Sequence, residues 1–279
     1  TAVVAGPSRT GLQAGPVPPT LAFSHEPAVV GASPGKGAGF TEDTERPVPA
    51  RTTGPAGSGQ LLALLNLALL CLMYFCASYG WYFNITWLPK YLKEEYGVSR
   101  ATHGVWATSF LSGAPLLFGA LACLAGGLLT DAFIRRTGNR KWGRRLLGVL
   151  GHGACAACYF LSLGARSPWL FVAAITLATF CNDLTMGSAW ASCLDIGRKY
   201  SGLVSGCMNT VGNLGGAAAG VTTGWVLEHF KDQHGGVLDS FGKNQGWTIN
   251  FLSFGAVYGV ATLMWLFFGA TRPVVAVEA

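Results

Sequence analysis

The sequence predicts an all-α membrane protein with six spanning helices, and three observations carry that expectation. Charged residues make up 11% of the 279-residue chain and apolar residues 51%. A soluble domain carries about 25% charged residues, so most of this surface does not face water and an ordinary soluble enzyme is excluded. Six apolar runs, at 61–88, 105–130, 146–164, 169–194, 202–227 and 247–270, match the roughly 20 residues that cross a hydrocarbon core at 1.5 Å per residue. None alternates with the two-residue period of a barrel strand, and backbone groups in lipid must bond within their own segment, which leaves helices.

Residues 1–59 differ in kind. They are rich in Pro, Gly and Ala, with a mixed-charge patch at Glu42, Asp43, Glu45 and Arg46. Such a composition cannot bury enough apolar area to offset its ordering entropy, so a flexible linker or terminal arm is expected. The stretch opens with Thr1 rather than Met, and Pro, Gly, Ser and Thr interrupt every apolar core that a signal peptide would need. Gly35, Gly37 and Gly39 look like a piece of a phosphate loop, but no Lys-Ser/Thr follows them.

The net charge of +6 is unevenly placed. Arg135, Arg136, Arg140, Lys141, Arg144 and Arg145 crowd the connection after the second run, Arg198 and Lys199 follow the fourth, and Arg272 lies in the tail. The opposite connections hold Lys90, Lys93, Arg100, Arg166, Lys231 and Lys243. The excess on the first side predicts that both termini are cytoplasmic. Nucleic acid would require cations interleaved with exposed aromatics, whereas these aromatics lie in the apolar runs. Trp81, Trp87, Trp106, Trp169, Trp225 and Trp247 sit near segment ends and read as interfacial anchors.

All eight cysteines also fall within the apolar runs, as small buried hydrophobes. The pair Cys155-x-x-Cys158 has no second pair to complete a metal site, so no disulfide, metal or cofactor is expected.

Polar groups inside the runs are the candidate functional residues. In the fifth helix Gly212, Gly216, Gly220 and Gly224 recur every fourth position and predict a flat helix-packing face. Asn209 and Asn213 lie one turn apart there, and either bond a neighbouring helix or point into a polar cavity. In the fourth helix Asp183 shares a stripe with Gly187 and Trp190, near Asn182, Thr185 and Ser188. An ionisable group at membrane depth is a functional hypothesis by default; the alternative is a carboxylate held by its neighbours that never titrates. Tyr74, Tyr79, Trp81, Tyr82 and Asn84 place polar tips on the first helix, marking either an interface or a cavity wall. His152 reads as a helix-packing residue rather than a proton relay.

An intramembrane serine protease would need Gly-x-Ser-Gly and a later histidine. Gly202-Leu-Val-Ser205-Gly206 has one residue too many and no histidine follows His234, so no catalytic residue is expected. A non-transporting receptor or assembly subunit remains open.

The sharpest motif is Gly127-Leu-Leu-Thr-Asp131-Ala-Phe-Ile-Arg135-Arg136-Thr-Gly138-Asn-Arg140-Lys141-Trp-Gly143-Arg144-Arg145. Topology accounts for its cations, but not for the acid four residues after Gly127 or for the glycine turn. This motif resembles the helix-loop-helix signature of the major facilitator superfamily, in the copy carried by the second half of the fold. Tyr79-Gly-Trp-Tyr-Phe-Asn-Ile-Thr-Trp-Leu-Pro-Lys-Tyr-Leu92, Cys193-Leu-Asp-Ile-Gly-Arg-Lys-Tyr-Ser-Gly202 and Gly206-Cys-Met-Asn209-Thr-Val-Gly-Asn213-Leu-Gly-Gly216 are similar to its anion:cation symporter branch, which includes hexuronate, galactonate and glucarate carriers.

The resemblance implies that residues 60–279 are the C-terminal six-helix half-domain, that 1–59 are the remnant of the central cytoplasmic loop, and that a first six-helix half is missing. It implies a transporter, not an enzyme, in a bacterial inner membrane, moving a sugar acid or similar organic anion by alternating access with a coupling proton or sodium. The first, second, fourth and fifth helices would line the substrate cavity and the third and sixth would face outward. Cavity candidates are then Tyr79, Tyr82, Asp183, Ser188, Trp190, Asn209 and Asn213. The gating loop would be Gly127, Asp131, Arg135, Arg136, Gly138, Arg140, Lys141, Arg144 and Arg145, with Asp131 latching onto the positive N-terminus of the fifth helix. The branch places its main substrate-charge and coupling residues in the other half, and no arginine lies mid-helix here, so the countercharge for the anion is not located.

Overall fold

A computed structural model describes residues 58–230, 244–271 and 273–274. The expected linker therefore lies almost entirely outside the described residues, as do Lys231, Lys243 and Arg272. The described residues form eight α-helices and no strand: α1 (Ser58–Thr86), α2 (Leu88–Tyr96), α3 (Arg100–Thr137), α4 (Arg140–Ser162), α5 (Pro168–Leu184), α6 (Met186–Gly197), α7 (Ser201–Phe230) and α8 (Gln245–Phe267), with a 3-10 turn at Arg198–Tyr200 before α7. The chain is an integral membrane protein, with spans at Gly59–Thr86, Arg100–Thr137, Arg140–Ser162 and Gln245–Phe267 and a 63-residue apolar stretch at Pro168–Phe230. One straight helix of that length would measure about 95 Å, far more than a bilayer core. The stretch is instead two spans separated at the 3-10 turn, where Arg198 adopts φ 48°.

Local chemistry sets the helix ends. Ser99 and Thr102 form a reciprocal capping box at the start of α3. Gly138 (φ 65°) closes α3 in the left-handed region, and Asn139 then accepts from Trp142 N to open α4. Ser167 caps α5, with Pro168 in its first turn.

The fourth predicted span is not one helix but two. The Thr185 hydroxyl donates to the Asn182 carbonyl at 2.7 Å and the Thr185 amide donates to the same oxygen at 3.0 Å. A carbonyl captured three residues on is lost to the regular ladder, and the helix breaks there. The break faces α3 across three glycines. A Cβ on Gly126 would overlap the Leu184 carbonyl, and one on Gly187 would lie 2.7 Å from Gly127 Cα.

Three helix pairs dominate the packing: α1 with α7, α3 with α5, and α4 with α8. The α7 face is flat, and two glycines of the four-residue series, Gly212 and Gly216, form it together with Gly215, while Gly220 and Gly224 do not. A Cβ would overlap Tyr74 at Gly212, the Phe75 carbonyl at Gly215 and Tyr82 at Gly216; at Gly220 it would meet nothing within 4 Å, and at Gly224 only Trp87 at an ordinary 3.6 Å. Each step of four residues drifts about 40° around a helix, so Gly220 and Gly224 rotate off a face that Gly215 joins.

Near α2, Phe83, Tyr91, Phe171, Trp247, Phe251 and Phe254 form a buried aromatic cluster. Trp247 is consequently no interfacial anchor. It is 1% exposed and donates its indole N–H to Glu94 Oε2 at 3.2 Å, whereas Trp106 is 90% exposed.

Candidate functional site

A cavity of about 710 Å³ opens among α1, α3, the α5–α6 break and α7. No residue of α4 or α8 lines it. Tyr74, Ser78, Trp81 and Tyr82 supply the α1 wall; Tyr74, Ser78 and Tyr82 recur every four residues, and Trp81 follows Ser78 by three, so the four span about 100° of the helix surface. From α3 comes Cys123, from the break Asn182, Asp183, Met186 and Trp190, and from α7 Asn209 and Asn213.

Of the cavity candidates, the structure brings together Tyr82, Asp183, Trp190, Asn209 and Asn213 and leaves out two. Tyr79 sits about 100° around α1 from Ser78; its hydroxyl pairs with Thr222 Oγ1 at 2.6 Å and its ring packs on Phe254. Ser188 is fully buried, with its hydroxyl 3.0 Å from Thr130 Oγ1 on α3. Tyr74, Trp81 and Asn182 line the wall instead. The signal for the two aromatics was the stripe through Tyr82, and for Asn182 its adjacency to Asp183.

The wall is partly wired and partly open. Tyr82 Oη donates to Asn213 Oδ1 at 2.9 Å, and Asn213 Nδ2 donates to the Asn209 carbonyl at 2.9 Å. Tyr74 meets Trp190 edge to face, with centroids 6.0 Å apart. Asn182 Nδ2 donates to Asp183 Oδ1 at 2.8 Å, while Asn182 Oδ1 is buried without a hydrogen-bond partner. Gly119 makes room for the carboxylate, since a Cβ there would overlap Asp183 Oδ2.

Behind the break, Trp265 Nε1 donates to His152 Nδ1 at 3.1 Å, so that nitrogen carries the lone pair and the hydrogen sits on Nε2, 3.2 Å from Thr185 Oγ1. His152 is thereby a neutral packing residue. Asn84 is likewise buried, donating to Thr179 Oγ1 at 2.9 Å.

A second polar cluster lies at the α3–α4 connection. Arg144, 8% exposed, reaches Asp131 at 3.5 Å and Asp195 at 3.1 Å, and Arg140 reaches the other oxygen of Asp195 at 3.4 Å. Asp131 lies within α3 rather than at its end, and its ion pair is with Arg144 on α4, not with the N-terminus of α7. Asp195 was not among the candidates. Its signal was the one acid in the Cys193–Gly202 segment on the cation-rich side. Arg145 donates to the Phe268 carbonyl and lies over Trp142, and Gly143 packs under Ile134. Arg135, Arg136 and Lys141 form no ion pair among the described residues.

The family model described as Major Facilitator Superfamily matches residues 19–220. A protein of Cupriavidus necator named "Probable sulfoacetate transporter" is 29% identical over 206 residues, 71% of this chain and 42% of that protein. An Escherichia coli K12 protein named "Probable galactarate/D-glucarate transporter" is 27% identical over 176 residues, 61% of this chain and 37% of its own length. A rice protein (Oryza sativa subsp. japonica) named "Probable anion transporter 1, chloroplastic" is 23% identical over 251 residues, 88% of this chain and 43% of that protein. The chain spans less than half the length of each of these relatives.

Proposed function

Because this chain belongs to the Major Facilitator Superfamily, we propose that it forms part of a secondary active transporter moving an organic anion, a sugar acid or similar carboxylate, by alternating access. The protein is a carrier component and not an enzyme. In this reading residues 60–279 are the C-terminal half-domain and 1–59 the cytoplasmic linker that joins it to a preceding six-helix half. Both termini face the cytoplasm, across a bacterial inner membrane. The halves rock about a central site, and a proton or sodium ion moves with the anion.

The observation that carries this reading is the cavity. Four spans surround it with amide, hydroxyl and indole groups that suit a hydroxylated anion. The names of the relatives suggest the substrate class: sulfoacetate, galactarate and glucarate are all small organic anions. The α3–α4 clasp of Arg144 with Asp131 and Asp195 supports a gating role for that loop, because it ties α3, α4 and α6 together through charges that can part and re-form.

The test is uptake by the full-length protein in proteoliposomes, with labelled D-glucarate and sulfoacetate as probes. Accumulation driven by an inward proton or sodium gradient is expected. Flux indifferent to both gradients would overturn symport, and absence of flux for every organic anion tried would overturn the substrate class.

A further inference from the structure

Among the described residues that line the cavity there is one formal charge, and it is negative. Asp183 is 4% exposed, no Lys or Arg lines the cavity, and no ion pair reaches this carboxylate among the described residues. The ionisable groups facing it from the surrounding helices are Tyr74 and Tyr82 on α1, Cys123 on α3, His152, Cys155 and Tyr159 on α4, and Tyr258 on α8. α7 contributes only the amides of Asn209 and Asn213 to the shared wall. None of these groups is a cation: the tyrosines and cysteines have no positive form, and His152 is held neutral by the Trp265 N–H on its Nδ1. An anion entering this cavity would meet a like charge that the Asn182 amide and the Trp81 indole hydrogen-bond but no cation neutralises, in a medium that screens poorly.

Asn182 supplies an independent observation. This side chain is 1% exposed and its Nδ2 donates to Asp183 Oδ1, tying the carboxylate to the last turn of α5, while His152 lies on the other side of the amide. The pair sits at the α5–α6 break, where a discontinuous span suits a coupling ion.

Resting on the transporter reading above, we infer that Asp183 carries the coupling proton in this half. The carboxylate takes a proton from the side to which the cavity is open, the anion then occupies a neutral wall, and the two leave together on the other side. Coupling follows from the sign of a single group, without a cation on this half to hold the substrate.

The test uses purified full-length protein with D-glucarate and sulfoacetate as probes. In the wild type, affinity falls as pH rises, approaching about tenfold per pH unit once the free carboxyl is ionised. Binding then takes up one proton per anion in weakly buffered solution. Asp183→Asn keeps the shape and cannot ionise: its affinity is flat with pH, binding takes up no proton, and a pH gradient no longer drives accumulation.

An unchanged pH slope or proton uptake in Asp183→Asn overturns the inference. A folded Asp183→Asn that binds at no pH makes the residue a direct anion contact and also overturns it, as does a sodium-dependent affinity that the substitution abolishes. Should Asp183→Asn not fold, proton uptake by the wild type decides alone, and its absence overturns the inference. Failure of the wild type to bind any organic anion at any pH counts against the transporter reading instead.

Discussion

The α4–α8 pair and the cavity wall use the same residue types to opposite ends. Between α4, α8 and the back of α1, the tips of Tyr159, Tyr258 and His152 are all matched, although Asn84 Oδ1 on α1 is buried without a partner. Tyr159 Oη donates to the Gly80 carbonyl at 3.1 Å, Tyr258 Oη to the Ala77 carbonyl at 3.0 Å, and His152 has a partner on each ring nitrogen. The rings of Tyr159 and Tyr258 stack, and Gly80 lets Tyr258 lie against the α1 backbone. Across α1, Tyr74, Tyr82, Asn209, Asn213 and Asn182 present similar chemistry to open space, with Asn182 Oδ1 unmatched. In a protein solvated by lipid, polar residues in a span do not by themselves mark a site. What separates the two regions here is whether the polar tips border open space, as those of Tyr82, Asn209 and Asn213 do, or are enclosed by packed rings, as those of Tyr159 and Tyr258 are.

That contrast can be broken by substitutions in the full-length protein, each read by thermal stability in detergent and by anion binding. The largest loss of stability is expected for Tyr258→Ala, which removes a buried ring and leaves a cavity, about 3–5 kcal/mol, with anion affinity retained in whatever fraction remains folded. His152→Leu strands the Trp265 indole and one of the Thr185 hydroxyl's contacts, at about 1–3 kcal/mol; affinity stays at the wild-type value, and a loss of affinity would place His152 in the transport machinery. Asn213→Leu, on the open wall, should change stability by less than about 0.5 kcal/mol and weaken anion binding about 2–10-fold. Unchanged affinity would return it to packing.

Chemical modification sharpens the same division without a substitution. Cys123 lines the cavity and Cys155 is 0% exposed. Peptide mapping after treatment with a small thiol reagent should find Cys123 labelled and Cys155 not, and bound anion should slow the labelling of Cys123 alone. Equal protection of both would indicate a global change rather than an occupied cavity.

The six spans were legible because length and apolar composition suffice to find them, and the Gly127–Arg145 motif was legible because its acid and glycines have no topological reason to be there. The break at Thr185 was not. A hydroxyl that captures a carbonyl three residues back is encoded by Thr185 alone, and most intrahelical threonines leave the helix intact. That break and the choice of helical stripe decide which polar tips face inward. Tyr79 differs from Ser78 by one position, about 100° of rotation, and so belongs to the packed side. Asp195 escaped notice because its role depends on Arg140 and Arg144, distant in sequence and adjacent only after α4 and α6 pack.

The joint at Thr185 also makes α6 a lever. Its 12 residues extend about 18 Å, so a swing of about 10° at the fulcrum carries the far end through about 3 Å. Asp195 rides near that far end, its oxygens 3.1 and 3.4 Å from two arginines. A tilt of that size would be large enough, at the other extremity of the same short rod, to separate a carboxylate from both of its counter-ions.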